Sequence, residues 1–171
     1  MKMIPLKQRP VDYIYLAFFF VNLFFITYIV DLEQLVIRDV HDFNYPVWPL
    51  PFLVDMVHWW GNKFDPLQSA RPVWWKATIW LDVLIFGPYY ATAIYAFIKG
   101  KNWIRIPTLV IMPILFTNVF IICSEEIFGP VSAINLPLVV LANLPWALFL
   151  VFLVWKMWKN EKPFTTDVLM N

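Results

Sequence analysis

Asp82 is the residue from which chemistry is most readily argued in this chain. It is the one charge in an apolar run that continues past Lys76 to Ile98, long enough to cross a bilayer as a helix. An aspartate at that depth costs about 2.5–3.5 kcal/mol on insertion scales, so it calls for a partner or a purpose. Gly87-Pro88 follows one to two turns later. The proline removes a backbone hydrogen bond and bends the helix, and the glycine leaves room beside the bend. Trp74, Trp75, Trp80, Tyr89, Tyr90 and Tyr95 lie along the same helix. An acid beside a kink in an aromatic-rich helix marks a ligand pocket. The plainer alternative is an aspartate bonded to a neighbouring helix for packing alone.

Other polar residues repeat at helical spacing. Thr27 and Asp31 are four apart and share a face. Asn118 and Glu125 are seven apart, again on one face, and Asn143 and Trp146 flank Pro145. If these faces turn inward, they enclose two aspartates, two asparagines and a threonine within aromatic walls that include Tyr89. Two carboxylates close together in low dielectric do not both ionise readily, and the pair shares a proton. A cationic amine can replace that proton, with cation–π attraction from the rings. The same pair can perform acid–base chemistry on a carbon skeleton, one group donating a proton and the other accepting one. Each residue also has a plainer role: Asp31 as a charge at a helix end, Asn118 and Asn143 as interhelical hydrogen-bond partners, Glu125 and especially Glu126 as solvated loop acids. His41 and His58 lack metal-ligand spacing, and no span holds a lysine for a Schiff base, so neither a metal nor a cofactor is assigned.

The elements that position these residues are apolar helices. The 171 residues are 61% hydrophobic and 19% aromatic, with a mean hydropathy of +0.64, well above a soluble domain. This composition predicts an all-α polytopic membrane protein, a four-transmembrane-helix bundle in a single domain over residues 1–171. The expected helices cover about residues 11–37, 73–98, 106–124 and 136–158, with Pro107 and Pro137 in first turns and Pro113 and Pro145 inside spans. A net charge of +1 gives no reason to expect nucleic acid, and the single cysteine, Cys123, excludes an intramolecular disulfide. The first apolar run is too long for a signal peptide and lacks a cleavage motif, so it is expected to remain as a helix. Residues 38–72 include YPVWPLPFLVDMVHWW, whose prolines and short apolar runs predict an interfacial or re-entrant segment with Trp48, Trp59 and Trp60 at headgroup level. The polar tail NEKPFTTDVLMN is expected to be loose.

Loop charge orients the bundle. Lys2, Lys7 and Arg9, then Lys99, Lys101 and Arg105, then Lys156, Lys159 and Lys162 lie in segments that four spans put on one side. The positive-inside rule makes that side cytoplasmic, both termini included. Asp82 then lies roughly 12 Å below the non-cytoplasmic end of its helix, and Asp31 and Glu125 fall in the same half of the membrane.

ITYIVDL (26–32), KFDPL (63–67), the Pro-Val-Trp-Trp-Lys entry to the second span, and AIYAFIKG followed by WIRIP (93–107) resemble the EXPERA domain family, in particular its sigma-2 receptor branch. FGP (86–88), Ser124-Glu125 and Asn143 with Trp146 resemble the emopamil-binding branch, which isomerises sterols from Δ8 to Δ7. The resemblance implies that Asp31 and Asp82 hold amine ligands, in a lipid-accessible pocket that takes a sterol or another hydrophobic or cationic amphiphile. It also implies an alternative, a double-bond isomerase in which Asp31 and Asp82 are catalytic and Asn143 and Trp146 stabilise a carbocation. The implied partners are a sterol or cationic amphiphilic small molecule and membrane lipid, and a homodimer is a candidate assembly. The implied location is the endoplasmic reticulum membrane in a eukaryote or the inner membrane in a bacterium.

Overall fold

Four helices in the computed structural model are long and apolar enough to cross a membrane, among the described residues 2–166. They are α1 (Pro10–Val36), α4 (Val73–Lys99), α5 (Asn102–Phe128) and α6 (Leu136–Lys159). Two shorter helices, α2 (Pro51–Lys63) and α3 (Leu67–Ala70), lie between α1 and α4. The protein is thus an integral membrane protein of all-α class, with a single two-residue strand pair among the described residues.

Local signals set the helix ends. Pro10, Pro51 and Pro137 sit in first turns, where an N–H would be unpaired in any case. The Asn135 side chain accepts from Leu138 N at 3.2 Å and caps α6. Gly100, at φ +60°, ends α4 in the left-handed region, and Lys101 N donates back to Ala96 O. Pro113 and Pro145 lie within α5 and α6 without ending them. α5 runs on to Phe128, one turn beyond the expected end at Ser124, so Glu125 and Glu126 are helical rather than loop residues.

Two spans depart from α-helical winding. α1 is π-helical over Asn22–Asp31, and α4 over Asp82–Phe86. In α4 the cause is local: Pro88 offers no N–H to the carbonyl a turn earlier, and the ladder widens just before it. The two stretches pack tightly at Gly87, where an added Cβ would stand 2.8 Å from Tyr28 Oη and 2.9 Å from Thr27 Cγ2. The missing side chain lets α1 approach α4 at the level of Asp82.

The core fills the end of the bundle where the termini meet. Phe19, Tyr90, Ala93 and Phe97 pack between α1 and α4, and Met112, Leu150, Leu153 and Met157 between α5 and α6. Asp12 is buried there and pairs with both Arg9 and Lys156. The tail is docked as far as Thr166, contrary to the expectation of a loose end. Phe164 is fully buried, Ile4 N donates to its carbonyl, and β1 (Lys2–Met3) pairs antiparallel with β2 (Thr165–Thr166). A buried aromatic outweighs the polar composition around it. The final DVLMN lies outside the described residues.

The segment expected to be interfacial or re-entrant holds α2, at 13 residues too short to span. It covers the other end of the bundle and is pinned at several points. Trp48 Nε1 donates to Tyr28 O at 2.7 Å, and His58 Nε2 meets Glu33 Oε1 at 2.8 Å. Arg71 holds Glu33 at 2.7 Å and 3.0 Å and donates to Ile37 O at 2.6 Å.

Candidate functional site: an acidic intramembrane cavity

Under α2 lies a cavity of about 440 Å³, enclosed by α1, α2, α4, α5 and α6. Its walls are mostly apolar, and its polar groups come from different helices. Asp31 and Asp82 both line it, and their carboxyl groups are within hydrogen-bonding reach of each other. Two carboxyl groups can bond to each other only when one of them carries a proton. Thr27 Oγ1 donates to Asp82 Oδ2 at 2.6 Å from a fully buried position behind the cavity wall. Thr27 thus orients Asp82, and its side chain does not line the cavity itself.

Asn118, Asn143 and Trp146, expected in the site, all line it. Trp146 is fixed by Asn22, whose Oδ1 accepts from Nε1 at 2.8 Å while its Nδ2 donates to Phe18 O. Asn143 Nδ2 donates to Val139 O at 3.0 Å and approaches Glu126 Oε2 at 3.4 Å.

Two expected contacts fall elsewhere. Glu125 turns toward the loop after α5, where its Oε1 accepts from Val131 N at 3.2 Å. Glu126, set aside as a solvated acid, is buried and lines the cavity in its place. Leu115, Val119, Ile122 and Glu126 form one stripe on α5, and Glu126 lies about three turns from Leu115 while Glu125 falls to the side. Tyr89, expected as an aromatic wall, is buried between helices and donates to Thr108 Oγ1 at 2.8 Å, whose own proton goes to Ile104 O. It does not line the cavity.

The cavity also gathers Asn22, Gln34 and Gln68, which the sequence pattern did not single out, with Trp75 from the aromatic run of α4 and Asp65 from the KFDPL motif. Gln34 is buried and accepts from Trp75 Nε1 at 2.7 Å. Asn22 and Asp31 are nine residues apart, about two and a half turns of α-helix, which places them on opposite faces. The π ladder between them takes more residues per turn and brings both to the cavity. Asp65 lies just before α3, and burial pushes its carboxyl up, partly offset by bonds from the Gln68 side chain and from the Leu67 and Gln68 backbone. The described residues hold no cluster of three or more His, Cys, Asp and Glu arranged to bind a metal ion.

The family model of EXPERA (EXPanded EBP superfamily) matches residues 52–157, more than half of the chain. The chain belongs to the EXPERA family. Among curated proteins, this EXPERA chain is 31% identical over 134 residues to sigma intracellular receptor 2 of Xenopus tropicalis, covering 76% of the chain and 73% of that protein. It is 28% identical to the proteins of the same name from Homo sapiens over 130 residues and Macaca fascicularis over 131 residues, each covering 75% of the chain and 69% of the relative. The EXPERA match begins in α2, so it takes in the cover of the cavity together with α4, α5 and most of α6.

Proposed function

We propose that this EXPERA protein binds a sterol or another hydrophobic or cationic amphiphile in the cavity beneath α2. One observation carries the reading: two carboxyl groups from different spans meet at an apolar chamber inside the bundle. A charge there is costly unless paired, and a cationic amine supplies the pair. In this reading Asp31 and Asp82 hold the amine, Thr27 orients Asp82, and Asn118, Asn143 and Trp146 contact the body of the ligand. The likeness to sigma intracellular receptor 2 supports a receptor role, and so a ligand. Both termini face the cytoplasm, and the membrane is that of the endoplasmic reticulum in a eukaryotic cell or the inner membrane in a bacterial one.

The test compares charged and neutral probes. Asp31→Asn and Asp82→Asn are each expected to weaken a cationic amphiphile by about 2–5 kcal/mol, because an ion pair in low dielectric is lost. A neutral sterol should lose much less. Equal losses for both probes would show that the substitutions disturb the bundle and would refute the ion-pair role.

A second reading, sterol double-bond isomerisation, is favoured by Asn143 and Trp146, which line the same cavity as the carboxyl pair. In that mechanism the protonated carboxyl of the pair donates its proton to the alkene. The resulting carbocation lies against Trp146 and Asn143, and a carboxylate then removes a proton further along the ring. A Δ8-sterol incubated with the protein in deuterated water would yield a deuterium-labelled Δ7 product. Tight saturable binding without turnover would exclude this route.

A further inference from the structure

The cavity carries a second acidic station at the end covered by α2 and α3. Asp65 is 3% exposed and Glu126 1% exposed; both line the cavity, and Ala133 N and Ile134 N tie their segments together by donating to Glu126 O and Phe64 O at 3.1 Å and 3.0 Å. Asp65 is already engaged, accepting from Leu67 N and Gln68 Nε2 at 3.2 Å each. Glu126 is barely engaged. The one hydrogen-bond contact of its carboxylate among the described residues is Asn143 Nδ2, 3.4 Å from Oε2, beyond the usual range for a strong bond. Independently of the acids, Asn118 is 8% exposed and lines the cavity, and its carboxamide bonds to nothing among the described residues. Asn118 lies eight residues from Glu126, roughly 12 Å along α5 and level with Asp82, so an occupant that reaches Asp82 can bond to it.

The lining also lacks any counter-charge. Four acids, Asp31, Asp65, Asp82 and Glu126, face the chamber, and no lysine, arginine or histidine lines it among the described residues. Their neutralising charge must come from protons or from an occupant. Asp82 lies nine residues inside the end of α4 that starts at Val73, and Glu126 two residues inside the matching end of α5. At 1.5 Å per residue, the two stations are about 10 Å apart along the bundle. Between them the surface is apolar, with Ile79, Val119 and Ile122 on the walls.

We propose that the cavity selects elongated amphiphiles with a cationic or hydrogen-bond-donating group at each end. Asp31 and Asp82 receive one end, and Asp65 and Glu126 receive the other. This rests on the reading that the first pair holds an amine, and it adds a second polar end to the ligand class.

Alkylamines of matched length test it on the full-length protein purified in detergent. Trp75 and Trp146 in the cavity wall provide a fluorescence signal. Decanediamine is long enough to reach both stations and is expected to bind about tenfold tighter than decylamine. Butanediamine is too short and should gain nothing over butylamine. Glu126→Gln should reduce decanediamine affinity more than decylamine affinity and close the gap. If the wild type binds decanediamine no tighter than decylamine while decylamine binding still depends on Asp82, the second station is refuted and the first reading stands. An equal gain at both chain lengths would also refute it, since a short diamine cannot bridge, and this comparison requires no variant. If decylamine does not bind at all, the underlying reading falls with it.

Discussion

Thr27 is fully buried behind the cavity wall, where its side-chain hydrogen bond goes to Asp82. Its hydroxyl holds Asp82 from behind, so Thr27→Val keeps the shape and removes the donor. A hydrogen bond to a charged group is worth about 1.5–3 kcal/mol, so amine affinity should fall about tenfold or more in a fluorescence titration. Gly87 is the complementary case. Gly87→Ala would push a methyl against Tyr28 and Thr27, with an expected loss of about 1–3 kcal/mol in a thermal melt and weaker amine binding as Asp82 shifts. At this scale the sequence was informative where charge or polarity interrupts an apolar run. Asp31, Asp82, Asn118, Asn143 and Trp146 could be read in that way, and all line the cavity. Glu126 was missed because the helix was expected to end two residues before it. Asn22 was missed because α-helical geometry turns it away from Asp31.

The elements between α1 and α4 behave as a cover, and charge holds that cover in place. Arg71 and His58 both bond to Glu33, which is fully buried. Removing Arg71 leaves that carboxylate with His58 as its one remaining side-chain partner among the described residues, so Arg71→Met should lower thermal stability by about 1–3 kcal/mol, less than for a wholly unpaired buried charge. Asp65 gives the cover a pH dependence. Its carboxyl titrates higher in the folded protein than in the unfolded chain, because burial disfavours the charge. The folded state therefore holds the proton more tightly, and Asp65's contribution to stability declines as pH rises from the ordinary aspartate range through the raised folded value. Asp65→Asn should flatten that part of the stability profile. None of this was visible in the sequence. The prolines and broken apolar runs of residues 38–72 indicated an interfacial or re-entrant segment, with no sign of what it packs against. Its role depends on pairings with Glu33 and Tyr28, which lie far away along the chain.

For the whole molecule, the four spans could be read from hydropathy and their order from loop length, because the bilayer leaves few other solutions. The union of the termini could not, since it rests on one aromatic residue in a polar tail. Phe164 is fully buried against Phe97 and beneath Arg9. Phe164→Ala should lower stability by about 3–5 kcal/mol while leaving the distant cavity able to bind amines, as a melt and a titration on the same sample would show. Equal loss of binding would mean that the two ends of the bundle do not separate energetically.

The pairing of Lys2–Met3 with Thr165–Thr166 also fixes an order of events during synthesis. Lys2 and Met3 are made roughly 160 residues before Thr165 and Thr166 and cannot pair until those have followed. At about 5–20 residues per second, that wait is roughly ten seconds or more. Over that interval Arg9 and Asp12 already have each other, but Lys156 and Phe164 have not yet arrived. A chain interrupted between Lys159 and Thr165 would carry all four spans with Lys2 and Met3 still unpaired. The strand pair therefore closes only after the last span has been made, and it follows the insertion of the bundle that it ties together.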